Sequence, residues 1–173
     1  DKMHRAPAVA LAAKGYHILL EKPMATTEED ALAIVEAAEQ NNVMMMICHT
    51  LRYTLYTRRL KEIIDSGVIG EIVSVEHLEP IATWHYTHAW VRGPWRKEAD
   101  SAPLLMTKSC HDIDWLSYIV GRKAERVSSF GSLYEFKHSR RPDAATDRCL
   151  DCPLIDSCLY SAPKFYLPLI EKP

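Results

Sequence analysis

The sequence predicts an α/β protein that begins in a parallel sheet with crossover helices and continues as a strand-bearing α+β region. Three observations predict it. Helical and strand-like patterns alternate over the first fifty residues, the mark of parallel strands joined by crossover helices. Two short continuous apolar runs, 16–20 and 43–48, sit between turn signals at Gly15, Pro23 and Asn41-Asn42, as strands buried on both faces do. Near residue 50 the alternation gives way to strand patterns separated by long irregular insertions, so the chain is divided into 1–50 and 51–173.

Each element follows from its local pattern. Ala6 to Ala13 is rich in Ala and Leu and is followed by Lys14-Gly15, a helix stopped by glycine. Tyr16 to Leu20 reads as the first strand. Thr26-x-x-Glu29 is a capping-box pattern, and Ala31, Ile34, Val35 and Ala38 then form one helical face. Val43 to Cys48 is the second strand. A helix follows from Leu55 to Ser66, with Tyr56, Leu60, Ile63 and Ile64 inward and Gly67 behind it. Glu71 to Leu78 alternates loosely, with Val73 and Val75 on one face, and predicts a half-buried strand. Trp84 to Lys97 is irregular. His111 to Val120 is helical, ended by Gly121. Glu125 to Phe136 reads as a long strand interrupted at Gly131, 137–158 as loop, and 169–173 as lacking any terminal element.

Composition excludes several classes. Of 173 residues 47% are hydrophobic and 25% charged, a globular balance rather than a disordered one. A net charge of −2 argues against a global grip on nucleic acid or an anionic membrane surface. No apolar run is long enough to span a bilayer, and no secretory signal is visible. Five cysteines, an odd number, fit a reducing compartment, read as the cytoplasm. Three of them cluster as Cys149-x2-Cys152-x5-Cys158. A structural zinc site uses four ligands, so His138, Cys110 or a distant residue would have to complete it. Three thiols packed in a loop are the plainer reading, and these cysteines are weak metal candidates.

Three features could carry chemistry. Glu21-Lys22-Pro23 closes the first strand, and in an open parallel sheet ligands bind outside the carboxyl ends of strands. Pro23 holds Lys22 extended, so its ammonium group can reach a substrate hydroxyl or carbonyl; a surface lysine is the bland alternative. Glu171-Lys172-Pro173 repeats the tripeptide with no capped helix after it and is read as coincidence. His111 and Asp114 share a helix face, where a carboxylate can fix an imidazole tautomer and raise its pKa. Lys108 lies just before them. Lastly, Trp84, His85, Tyr86, His88, Trp90, Arg92, Trp95 and Arg96 interleave rings and cations, able to stack on sugars or bind anions, or to pack over a sheet.

These features stand in an order that resembles the glucose–fructose oxidoreductase / inositol dehydrogenase (Gfo/Idh/MocA) family of nicotinamide-dependent sugar and polyol oxidoreductases. The matching residues are Asp1-x-x-His4, Lys14 to Ala25 with Glu21-Lys22-Pro23, Arg52, Ile69-Gly70-Glu71-Ile72, and His111-x-x-Asp114 ahead of Gly121. The resemblance implies the C-terminal part of a Rossmann-type parallel sheet in 1–50, followed in 51–173 by an incomplete α+β domain on a large open, mostly antiparallel sheet that forms homo-oligomers. It implies NAD or NADP as cofactor and a sugar or polyol as substrate. Lys22 and His111 become the catalytic lysine and the general acid/base, with Lys108 beside them. His4, Glu21, Lys22, Pro23 and Arg52 become cofactor-binding, and Trp84, His88, Arg92, Trp95 and Asp114 substrate-binding.

Two departures stand out. Thr107 and Ser109 occupy positions where many members have Asp and Gly, and Lys108 is expected to substitute for the acid. No G-x-G-x-x-G occurs, so the pyrophosphate loop is missing and the chain is expected to be a fragment with impaired cofactor binding and no activity of its own. A non-catalytic sugar-binding or oligomerising relative, and a cysteine metal module, are the alternative readings.

Overall fold

The computed structural model describes residues 1–170, and the second Glu-Lys-Pro copy at 171–173 lies outside them. The chain forms two compact units. One comprises Asp1–Glu79 with Pro94–Arg126, the other Pro80–Gly93 with Val127–Pro173.

The first unit opens with α1, Arg5–Ala13. Its alanines let it lie close against its neighbours, and Ala8 and Ala12 are buried. Gly15 ends it at φ +80, a conformation that glycine adopts without a Cβ penalty. The Gly15 and Tyr16 amides there donate to the Ala12 and Leu11 carbonyls at 2.8 and 3.1 Å, closing the helix end. Strand β1 (Ile18–Leu20) then pairs in parallel with β2 (Met45–Ile47), in the register Ile18 to Met45 and Leu20 to Ile47. The crossover is α2, Glu28–Gln40. Its cap lies one residue later than the capping-box pattern predicts. Thr27, not Thr26, is the N-cap; it is extended, and its Oγ1 accepts from the Asp30 amide at 3.2 Å. The acidic first turn of Glu28, Glu29 and Asp30 suits the positive end of the helix dipole.

The core of this unit is Ala8, Leu20, Ala25 and Ile34, with Ile18, Met24, Met45 and Ile47 packed against it. Ile34 is fully buried, which stabilises by roughly 1.5–3 kcal/mol. Helix α3, Leu55–Asp65, is capped by the Thr54 hydroxyl. The expected inward Tyr56 is instead 71% exposed. Thr57 takes the inner position because the Trp115 indole donates to its Oγ1 at 2.8 Å, and Tyr56 lies a quarter-turn away. Leu60, Ile63 and Ile64 are half-buried, as predicted.

Two predicted strands do not form among the described residues. Neither 71–78 nor 125–136 pairs with a neighbour, and the one sheet is β1–β2. Val73 and Phe130 are 96% exposed. Alternation reports which face a residue would take, but a strand exists only with a partner to receive its amides and carbonyls.

In the second unit the aromatic stretch is not irregular. It forms α4, Thr83–Tyr86, continuing as a π-helix over Thr87–Arg92. Gly93 ends it because a Cβ there would collide with the His88 carbonyl oxygen. Later, 3-10 turns at His138–Arg140 and Cys149–Asp151 interrupt the loop. A terminal helix, Ala162–Ile170, contradicts the expectation of no element at 169–170. Its internal Pro168 is the breaker that hid it.

The helices that complete the first unit are α5, Leu104–Thr107, and α6, Cys110–Val120 (the terminal helix is therefore α7). Gly121 closes α6 in the left-handed region, as its position predicts.

Candidate active site

The parallel pair sends both strand ends to one edge of the first unit. β1 delivers Glu21-Lys22 and β2 delivers Cys48-His49, held in step by the Cys48 amide on the Leu20 carbonyl at 2.8 Å. Facing them is the start of α6. The Lys22 ammonium donates to the Thr107 carbonyl at 2.8 Å, tying the strand end to the residue just ahead of that helix. Lys108 reaches Glu79 at 2.7 Å. Lys22, Lys108 and His111, named from sequence as the catalytic set, are therefore together.

His111 does not pair with Asp114 as its helical spacing suggests. Asp114 accepts instead from Arg52, through Nε at 2.7 Å and Nη2 at 2.5 Å, and lies 3.0 Å from His49 Nδ1. The spacing put His111 and Asp114 within reach, but a guanidinium fork matches a carboxylate better than one ring nitrogen does. The expected upward shift of His111 is likewise reversed. Burial first, then the Lys22 charge, the His49 ring when it is protonated, and the Lys108 charge hold its pKa below the ordinary histidine value. Its Nδ1 is out of contact with water and has no hydrogen-bond partner. A half-buried imidazole kept neutral beside two ammonium groups is a base facing a hydrogen-bond donor, the pairing that moves a proton off a hydroxyl.

Around this centre lie residues the sequence reading missed. His49 meets the His111 ring edge-on, centroids 5.9 Å apart. It sits at the carboxyl end of β2, so the strand-end rule that found Lys22 could have found it. His77 contacts Asp112 at 2.8 Å and packs on Trp115 at 5.1 Å; nothing in its local pattern marked it. Asp112 is 6% exposed, and its second carboxylate oxygen has no partner. Donor atoms of His77, Glu79 and Asp112 lie within 4.8 Å of one another, the one such group among the described residues. Its cation is already supplied by Lys108 on Glu79. Cys149, Cys152 and Cys158 do not converge into such a group. Cys152 and Cys158 line one cavity and Cys149 another, and the 3-10 turn Cys149–Asp151 separates Cys149 from Cys152. All five cysteines are free thiols.

The predicted cofactor residues are in the same unit. His4 Nδ1 lies 3.0 Å from the Pro23 carbonyl oxygen, Glu21 acts on the Cys48 thiol, and Arg52 is committed to Asp114. An apolar cavity of about 610 Å³ opens beside them, with Pro23, Met24, His49, Cys110 and Asp114 in its wall. The predicted substrate residues are divided between the units. Asp114 and Trp95 belong to the first, where the Trp95 indole donates to Asp1 at 2.8 Å. Trp84, His88 and Arg92 belong to the second and are engaged there. Trp84 stacks on Phe165 at 5.4 Å, His88 meets the Tyr166 hydroxyl, and Arg92 donates to the Tyr160 carbonyl at 2.6 Å.

Comparison with known proteins adds to this geometry. The family model for an oxidoreductase family with an NAD-binding Rossmann fold matches residues 1–49, and that for the GFO/IDH/MocA C-terminal domain matches 57–148. YteT of Bacillus subtilis, named as an oxidoreductase, is 28% identical over 92% of this chain and 38% of its own length. Levoglucosan dehydrogenase of Pseudarthrobacter phenanthrenivorans is 31% identical over 70% of this chain and 31% of its own. Among solved structures, the WlbA dehydrogenase from Bordetella pertussis, in complex with NADH and UDP-GlcNAcA, superposes with TM-score 0.51 at 27% identity, covering 69% of this chain and 34% of that one. The chain spans about a third of the length of these relatives. No described helix is long and apolar enough to cross a membrane.

Proposed function

The chain belongs to the GFO/IDH/MocA oxidoreductase family, and from that premise we propose that it carries the proton-handling site of an NAD(P)-dependent enzyme acting on a sugar or polyol hydroxyl. The observation that carries the reading is the placement of Lys22, bonded to the Thr107 carbonyl just ahead of α6, where its charge lowers the pKa of the half-buried His111 at the carboxyl edge of the parallel strands.

In this reading His111 takes the hydroxyl proton. Lys22 orients and polarises the same oxygen. One of its N–H groups is committed to the Thr107 carbonyl, which fixes the direction of the others. Lys108, held by Glu79, keeps positive charge beside His111 and favours its neutral, proton-accepting form. Glu79 thereby brings into the site a carboxylate that position 107 does not provide.

The residues fit the nicotinamide end of the cofactor. They offer the strand-end edge on which such ligands sit, and an ammonium donor beside an unpartnered buried nitrogen. Lys22 and Pro23, with His4 pinned against the Pro23 carbonyl, Glu21 and Arg52, would hold that end. When bound, the nicotinamide supplies the hydride acceptor. Residues 1–50 are assigned to this cofactor side and 51–173 to the substrate side. The exposed Val73, Val127 and Phe130 support homo-oligomer formation through the C-terminal part, which light scattering would measure. The free thiols support a reducing, cytoplasmic setting.

The test is Lys22→Ala in the intact protein, assayed with a panel of sugars and polyols against NAD and NADP. Turnover lost with an unchanged circular dichroism spectrum is the expected result. Undiminished turnover would overturn the reading.

A further inference from the structure

His111 presents a problem that the reaction alone does not solve. A proton it receives must leave before the next turnover, and of its two ring nitrogens Nδ1 is shut off from water and bonded to nothing, so only the other ring edge offers a way out. The groups facing it narrow the choice of next acceptor. Lys22, from the end of β1, and Lys108, ahead of α6, are ammonium groups with no acceptor to offer. Asp112, on α6 itself, already receives His77 from the 71–79 segment, 2.8 Å away. Cys110 is a thiol raised by burial and carries its own proton. Arg52 is permanently charged.

His49, from the end of β2, remains. Its ring stands edge-on to His111 with centroids 5.9 Å apart, and its side chain is 23% exposed, so it touches both the buried ring and water. Its Nδ1 lies 3.0 Å from Asp114 Oδ1, which assigns the ring proton to Nδ1 and leaves Nε2 as the working acceptor. Arg52 donates to both Asp114 oxygens, which holds the carboxylate in place against the ring. An imidazole oriented and electrostatically supported by a carboxylate is built to hold a proton briefly and pass it on.

Resting on the assignment of His111 as proton acceptor above, we propose that His49 relays that proton from His111 to solvent, with Asp114 as the positioning residue for its ring. The steps balance. The substrate O–H bond breaks and an N–H bond forms on His111, while the carbinol C–H electron pair leaves as hydride to the nicotinamide. The His111 N–H bond then breaks as a His49 N–H bond forms. Finally the His49 proton passes to water or a buffer base, so one proton is released per alcohol oxidised. His49 touches no reacting atom and acts only through His111.

The experiment uses His49→Gln and, as a variant that keeps a ring against His111, His49→Phe, both in the intact protein. Hydride transfer is followed by nicotinamide absorbance and proton release by a pH indicator. The first turnover should proceed at the wild-type rate, because His111 is intact. Later turnovers should slow by about ten-fold or more, with KM unchanged, and recover in proportion to added imidazole buffer. Wild-type turnover should not depend on buffer concentration. Steady-state rates equal to wild type in both variants, or a loss that imidazole does not restore, would overturn the relay. His111→Asn separates the two levels. If it abolishes turnover while the His49 variants behave as wild type, only the relay falls; if it is fully active, the function assigned to His111 falls with it.

Discussion

The two units are held together by different means. In the first, paired strands and capped helices fix the backbone, and charged side chains join residues far apart in the chain, Lys22 to Thr107, Arg52 to Asp114 and Lys108 to Glu79. In the second no strand forms among the described residues, and rings do the joining: Trp84 on Phe165, Tyr86 on Phe136, Phe136 on Tyr160. Its Arg92 donates to the Tyr160 carbonyl. A ladder and caps satisfy backbone groups cheaply and leave side-chain charges free to build a site. Where the backbone is irregular, polar side chains are spent on holding it.

That contrast can be tested from its largest expected effect downward. Lys22→Ala strikes the charged centre and should lower kcat/KM on the order of 10²–10⁴-fold, the range of lost proton-transfer assistance. Asp114→Asn should cost about 2 kcal/mol of unfolding free energy in urea titrations, the size of a charged hydrogen bond. Trp115→Phe removes only the indole donor to Thr57 and should cost about 1 kcal/mol.

Smaller still is a pH effect. The folded chain resists protonation of His111, so between its depressed pKa and about 6.5 the unfolded chain binds the extra proton. Stability therefore rises with pH through that window and is flat above it. Melting temperatures should fall as pH drops below about 6.5, and less so in Lys22→Met, which removes one cause of the depression. The last effect touches only the second unit. Backbone hydrogen bonds around Thr146 and Leu154 hold the Cys152 thiol below its ordinary pKa, whereas burial pushes Cys48 and Cys110 up. Peptide mapping after brief alkylation at neutral pH should find Cys152 modified before Cys48 and Cys110.

Much of the first unit was legible in sequence because its signals are local. Gly15 and Gly121 mark helix ends, Ile34 marks an inward face, and Lys22 stands at a strand end. The departures arise where a distant residue decides. Tyr56 was displaced from the core by Trp115 bonding Thr57, and Asp114 was drawn from His111 by Arg52 and His49. The alternation at Val73 and the apolar character of 125–136 describe a face without naming the strand that would pair with it. His77 lies inside the misread 71–78 segment and Glu79 directly after it, so their place in the site could not be seen. The π-helix at 87–92 gave no periodic signal to read, and only Gly93 records its end.

Asp114 has a mechanical side as well. His49 closes the segment matched by the NAD-binding model, Arg52 falls in the gap between the two matched segments, and Asp114 lies within the C-terminal one. One carboxylate thus fastens both flanks of a junction to the far side. A bending motion at that junction would load this fastener first, and it would turn the His49 ring against His111 as it did so. Opening and closing would then change the spacing of the two imidazoles together with the angle of the joint.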